Sequence, residues 1–242
     1  MKIRLLESGE VYSEFSGLLE SQSLRDTLES CIRSQKRAAA THYERFFTPA
    51  VNALQLVSEE RLAAIIKGGR DIHGISAEAD ISNVISFNNT KLESTVVSDE
   101  VAELRSRIDD QVIDAIRITF SLPASCRVTQ SGHFWYPPGG YMSWHTNSRS
   151  PGWRFYVTHA EQPLESFFRY RHPETHDIHT SLDPSWGVRL FYVDARRPFW
   201  HAVYSNTHRF SFGYVVHEAS FKSTMWRLAS KVRRVGRTAR PA

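Results

Sequence analysis

Apolar positions along the chain fall into two textures. Between about residues 21 and 37, Leu24, Leu28, Cys31 and Ile32 recur at helical spacing, which predicts an amphipathic helix. Ser58 suits the N-cap of a second helix through Leu62, Ile65 and Ile66, and Gly68-Gly69 supplies its stop. A third, longer helix follows Ser98-Asp99, with Val101, Leu104, Ile108, Val112 and Ile116 along one face. Residues 75–97 carry no clear period, and Asn88-Asn89 reads as a turn.

After Pro123 the period shortens. CRVTQSGHFWY, GGYMSWHT, GWRFYVTH, SFFRYR, WGVRLFYVD, FWHAVYS and HRFSFGYVV are aromatic, β-branched and punctuated by Pro and Gly. They predict an all-β unit of sandwich, jelly-roll or barrel type. Strands here do not alternate with helices, which excludes a doubly wound sheet. RYRHPETHDIHT, with His172, His176 and His179, reads as a hairpin tip after SFFRYR. A zinc-binding helix face is disfavoured there by Pro173.

Composition narrows the class. At 242 residues, 41% hydrophobic and 23% charged, the chain is globular, and one domain spanning 1–242 is expected. Its parts are a helical region 1–122, a β core 123–221 and a C-terminal tail 222–242. No apolar run spans a bilayer, and MKIRLLESGEVY turns polar too early for a signal peptide. Two cysteines, Cys31 and Cys126, exclude a disulfide scaffold and fit a reducing, cytoplasmic setting. The formal charge of +4 resolves unevenly. Residues 222–242 hold seven Lys and Arg and no acid, leaving 23 basic against 26 acidic residues in 1–221. Nucleic acid could therefore bind only through the tail, whose plainer reading is a solvated end.

Candidate chemistry sits in the β half. His145 and Asn147 are two apart, so both can project from one side of a strand. His201 lies on a distant strand, and Arg209-Phe-Ser211 is a further same-side pair. Two histidines on separate strands can converge on a metal, and a guanidinium fork beside a hydroxyl matches a carboxylate. His159, His208 and His217 lack partners at such spacing and are expected to serve structure.

In order and spacing these residues resemble the Fe(II)/2-oxoglutarate-dependent oxygenases, whose pattern is H-x-D/E, a distal His and R-x-S about ten residues on. The prolyl-4-hydroxylase-like branch is nearest, since Tyr136, Gly139 and His145 keep its offsets, while Tyr141 falls one place early. The resemblance covers about 128–216. It implies an α+β fold, a double-stranded β-helix (jelly roll, cupin-like) with N-terminal helices packed on it. It further implies Fe(II) on His145 and His201, with Asn147 at the third position. The distal carboxylate of 2-oxoglutarate would lie on Arg209, Ser211 and Tyr156. O2 is the oxidant and ascorbate a possible support. The implied reaction hydroxylates an unactivated C–H bond of a small amino-acid-like or peptidyl substrate, with Tyr136, Arg149 and Arg154 as substrate-side candidates. Loops 148–153 and 172–183 would help cover it.

Asn147 departs from the pattern, because the family places a carboxylate there. The amide can ligate weakly through its oxygen, or leave the position to water. It can also leave room for chloride, as in the family's halogenases, although Asn is bulkier than the Gly or Ala used there. A catalytically degenerate binding module is the remaining alternative.

Overall fold

The computed structural model describes residues 10–15, 17–68, 81–87, 99–148, 150–194 and 196–217. The expected turn at Asn88-Asn89, the candidate Arg149 and the basic segment 222–242 lie outside them.

Four helices and eleven strands are defined among these residues. They are β1 (Tyr12–Phe15), α1 (Gln22–Phe46), α2 (Ala53–Leu56), α3 (Glu59–Lys67), β2 (Ser82–Asn83), β3 (Ile85–Ser86) and α4 (Asp99–Thr119). There follow β4 (Arg127–Tyr136), β5 (Gly140–His145), β6 (Gly152–Ala160), β7 (Ser166–Arg171), β8 (Ile178–Leu182), β9 (Trp186–Val193), β10 (His201–Ser205) and β11 (Arg209–His217). Ser21 caps α1 by accepting from the Leu24 amide at 3.4 Å, and Ser58 caps α3 by accepting from the Arg61 amide at 3.2 Å.

Helix α1 runs to Phe46, beyond the predicted end near Arg37. The added segment AAATHYERF has little apolar period but also no breaker until Pro49. Strand β8 was expected as part of a hairpin tip. It is instead a full partner of β7, and the tip itself is confined to residues 172–177. Its sequence, Ile-His-Thr-Ser-Leu, hides it, because a strand at a sheet edge has little apolar surface to bury.

Two antiparallel sheets face each other, in orders β1-β9-β6-β11-β4-β3 and β2-β5-β10-β7-β8. From β4 to β11 successive strands alternate between the sheets, except that β7 and β8 form a hairpin within the five-stranded one. That winding is a double-stranded β-helix, the jelly roll, with helices laid on its outer faces. α1 and α4 cover the six-stranded sheet: Leu28, Ile32, Ile108, Val112 and Ile116 pack with Phe155, Phe210, Phe212 and Val216 in one core. α2 and α3 cover the five-stranded sheet, where Leu56, Val57 and Leu62 meet Tyr141, Trp144 and Trp200. Between the sheets lies a third core of Tyr136, Phe168, Phe191, Val193, Phe199 and Val203. Among the described residues no helix is long and apolar enough to cross a membrane.

Candidate active site

The interior is set by alternation along the strands. On β6, Arg154 and Tyr156 share the inner face with Phe191 of β9, while Phe155 and Val157 pack outward. On β11, Arg209 and Ser211 point inward and Phe210 and Phe212 outward. The resulting cavity is lined by His145, His201, Tyr136, Tyr156, Arg209 and Ser211, with Phe134, Met142, Phe168, Arg189 and Val203 filling its walls.

His145 reaches that interior because of a β-bulge. In the β5–β10 ladder Val203 opposes Met142 and His201 opposes His145, so Ser143 and Trp144 together oppose Ala202. Both bulged side chains turn outward. The Ser143 hydroxyl donates to the Leu56 carbonyl and the Trp144 indole to the Ser58 carbonyl, each at 2.7 Å. The extra residue puts His145, three positions after the inward Met142, back on the inner face.

His145 and His201 are thus direct cross-strand neighbours, with ring centroids 4.0 Å apart. Each ring is fixed the same way. Nδ1 of His145 lies 2.8 Å from the Ser143 carbonyl, and Nδ1 of His201 lies 2.9 Å from the Phe199 carbonyl. A carbonyl only accepts, so both Nδ1 atoms carry the proton and both Nε2 atoms keep a lone pair. Burial pushes the His145 imidazole down to about 4, against the Ser143 hydrogen bond and with help from the Arg154 charge. Burial, with the neighbouring His145, likewise holds His201 well below the usual range. Neutral imidazoles protonated on Nδ1 are the form that ligates metals through Nε2.

Asn147 does not extend β5 as expected. The strand ends at His145, and Asn147 takes a left-handed conformation, φ 54°. That turn brings its amide back to the site, where Nδ2 donates to Nε2 of His201 at 3.2 Å. Among the described residues no three His, Cys, Asp or Glu side chains form a metal-holding group. Two imidazoles and one amide are what this end of the cavity offers a cation.

Arg209 marks the opposite end, since β10 starts at His201 and β11, running back, starts at Arg209. Its side chain is 2% exposed and lies over the Tyr136 ring, 4.9 Å from the centroid. Nε donates to Asp183 Oδ2 at 2.9 Å, while Nη1 is buried with no hydrogen-bond partner. Asp183 also accepts from Ser166 Oγ at 2.7 Å and from Arg189 Nη1 at 2.5 Å. Burial alone would raise the Asp183 carboxyl; Arg209, Arg189 and the Ser166 hydroxyl overcome that and hold it at about 2. Arg189 also faces Glu14 at 3.8 Å, so what is left over at the cavity wall is the unmet Nη1 donor of Arg209. That is the complement of a carboxylate ligand.

Tyr156 stacks on Phe191 at 5.6 Å. Its position depends on Gly213, where a Cβ would come within 2.9 Å of the Tyr156 ring and 2.7 Å of Ser131 Oγ. Tyr136 belongs to the Arg209 end, directly across the ladder from Arg209. Arg154 belongs to the histidine end. Of the other histidines, His159 Nδ1 lies 2.8 Å from the Ser185 carbonyl, His208 Nδ1 accepts from the Trp135 indole at 3.1 Å, and His217 Nε2 lies 2.9 Å from Thr129 Oγ1. His172 accepts two amides of its own turn, and His179 stacks on Tyr170.

Neither Arg189 nor Asp183 is a site candidate from sequence alone, where Asp183 belongs to a covering loop. It is fully buried instead. One signal for the pair existed: Arg189 stands in the middle of the apolar strand WGVRLFYV, and an arginine buried there needs a counter-charge.

No family model matches the chain, and no curated protein matches it. Among solved structures it is similar to a Pseudomonas putida prolyl-4-hydroxylase, at 11% identity over 88% of this chain and 95% of that one, with a TM-score of 0.44. It is also similar to a Trichoplax adhaerens prolyl hydroxylase solved with a hypoxia-inducible-factor peptide fragment, at 13% identity, 86% and 84% coverage and a TM-score of 0.42. A 2OG-Fe(II) oxygenase family oxidoreductase from Burkholderia pseudomallei follows, at 12% identity, 76% and 92% coverage and a TM-score of 0.39.

Proposed function

We propose that this chain is an Fe(II)/2-oxoglutarate-dependent oxygenase that hydroxylates an unactivated C–H bond of a small amino-acid-like or peptidyl substrate. One observation carries the reading. A single cavity has two carbonyl-locked imidazoles at one end and, at the other, a buried arginine with an unpartnered Nη1.

His145 and His201 would hold the iron through Nε2, and Asn147 would join them by presenting its amide oxygen in place of the amino group. Arg209 would take the distal carboxylate of 2-oxoglutarate through Nη1, with Ser211 and Tyr156 lining the same space. When bound, iron and 2-oxoglutarate supply the oxidising chemistry, converting O2 and the 2-oxo acid to succinate and CO2 while one oxygen atom enters the substrate; ascorbate would keep the iron reduced.

The chain's own residues do the rest. The Ser143 and Phe199 carbonyls fix which ring nitrogen faces the cation. Asp183 holds the Arg209 guanidinium by Nε, so Nη1 is left for the ligand. Phe168, Phe191 and Phe199 surround His201 and keep bulk water from it. Cytoplasmic location is part of the proposal, consistent with two free, buried cysteines.

Anaerobic addition of Fe(II) and 2-oxoglutarate tests this reading. A visible metal-to-ligand charge-transfer band is expected, and its absence at saturating concentrations would sink it. The second reading, a metal-free binding module, draws on the Asn147 contact, which occupies the His201 lone pair a metal would use. On that reading no band forms. A halogenase would need an open position for chloride, and the Asn147 side chain is bulkier than the Gly or Ala that such enzymes place there.

A further inference from the structure

The molecule holds a second buried guanidinium with unspent donors, that of Arg154. The residue is 4% exposed, and its Nε has no hydrogen-bond partner. Nη2 donates to the Ser150 carbonyl, a neutral group in the loop that follows Asn147. Among the described residues no carboxylate pairs with it. The inward-facing Asp183 is committed to Arg189 and Arg209. Asp194, which follows the neighbouring strand β9, is taken by Arg197 and the Arg196 amide.

Topology places this charge at the histidine end. β5 ends at His145, β6 starts at Gly152, and Arg154 is its third residue. Its ladder partners are Phe191 and Val215, the latter near the far end of β11 from Arg209. It shares the inner face with Tyr156. The same end is open to solvent at Ser150 and Pro151. A buried cation therefore stands at the same end of the sandwich as the two imidazoles, where Asn147 has removed the one carboxylate the pattern would supply.

We infer that Arg154 forms a second anion site, distinct from Arg209, and that the substrate carries a carboxylate or similar anionic group which Arg154 binds at the histidine end. The inference rests on the proposed oxygenase reading for which end is the reacting one. Anion binding at Arg154 would orient the rest of the substrate toward His145 and His201, and a neutral analogue would leave a buried guanidinium unpaired.

The test titrates the full chain, metal-free and at low ionic strength, with acetate, phenylacetate and N-acetylglycine, and with their neutral amides. Succinate is titrated in parallel to report on Arg209. At least one monocarboxylate is expected to bind about tenfold tighter than its amide, the size of one charge-assisted hydrogen bond. That preference should vanish in Arg154→Met, persist in part in Arg154→Lys and survive in Arg209→Met, while succinate follows Arg209. The Arg154 Nε–H resonance, assigned by its loss in Arg154→Lys, should shift with the carboxylate and not with the amide, which keeps the test sound if Arg154→Met does not fold. Carboxylate preference that depends on Arg209 alone, no preference for any member, or the same Arg154-dependent effect from chloride would each overturn the inference. If succinate fails to bind through Arg209 while Arg154 still selects carboxylates, the oxygenase reading falls and the anion site stands.

Discussion

Asp183 and Arg209 form a buried pair in which Oδ2 takes Nε at 2.9 Å and leaves Nη1 of the same guanidinium unmet. The carboxylate orients the arginine without consuming it. Asp183→Asn should therefore cost stability, about 3 kcal/mol by denaturant unfolding, because the buried Arg209 guanidinium loses its carboxylate partner and Arg189 keeps only the half-exposed Glu14. It should also weaken succinate and 2-oxoglutarate binding, since the guanidinium is no longer held in one orientation. Unchanged affinity in the folded variant would show that Asp183 supports the fold alone.

The same pair gives a pH dependence of known sign. The folded Asp183 carboxyl sits at about 2, below its unfolded value of about 4. The stabilisation it contributes is complete above the unfolded value and disappears as pH falls through the folded one. The difference in unfolding free energy between wild type and Asp183→Asn should stay level above about pH 5 and shrink by about 2 kcal/mol between pH 4 and 2. Unfolding curves across that range check it.

His145→Ala and His201→Ala should each reduce Fe(II) affinity by more than about 100-fold and abolish 2-oxoglutarate turnover. Equilibrium metal binding and succinate release are the measurements. Two variants that keep full turnover would move the site elsewhere.

Asn147 has a backbone and a side-chain consequence. Asn147→Asp suits the same left-handed backbone and restores a charge, so it should tighten Fe(II) binding without 2-oxoglutarate by roughly tenfold. Asn147→Ala should lose about 1 kcal/mol of stability from backbone strain, which Asn147→Gly avoids. Metal titration and thermal unfolding separate the two effects.

Gly213→Ala would push a methyl group into the Tyr156 ring and Ser131 Oγ. The expected cost is about 1–3 kcal/mol, with a further loss of succinate affinity because Tyr156 lines the cavity. A stability loss with unaltered affinity would free Tyr156 of any role in binding.

Local chemistry was legible in the sequence, and partnership was not. Ser21 and Ser58 cap the helices their composition predicts, and the seven aromatic segments are strands. Arg209 and Ser211 share a face because alternation alone decides it. The inward turn of His145 was not readable, because it depends on a bulge opposite Ala202 that no residue type announces. Asn147 was expected on a straight strand, and reaches His201 by a left-handed turn instead. Asp183 looked like a loop residue, since its burial follows from two arginines, 6 and 26 positions downstream, that only the fold brings to it. Strand β8 has too little apolar content to reveal itself and exists by pairing with β7.

The cross-strand placement of His145 and His201 has an evolutionary consequence. Their separation is set by the hydrogen-bond ladder between β5 and β10, which acts as a fixed ruler, and not by the long chain segment between them. Loops within that segment can lengthen, shorten or be exchanged without moving one ring relative to the other. Selection can thus rebuild the walls around the site, and with them the choice of substrate, while the distance between the two nitrogen donors stays the same.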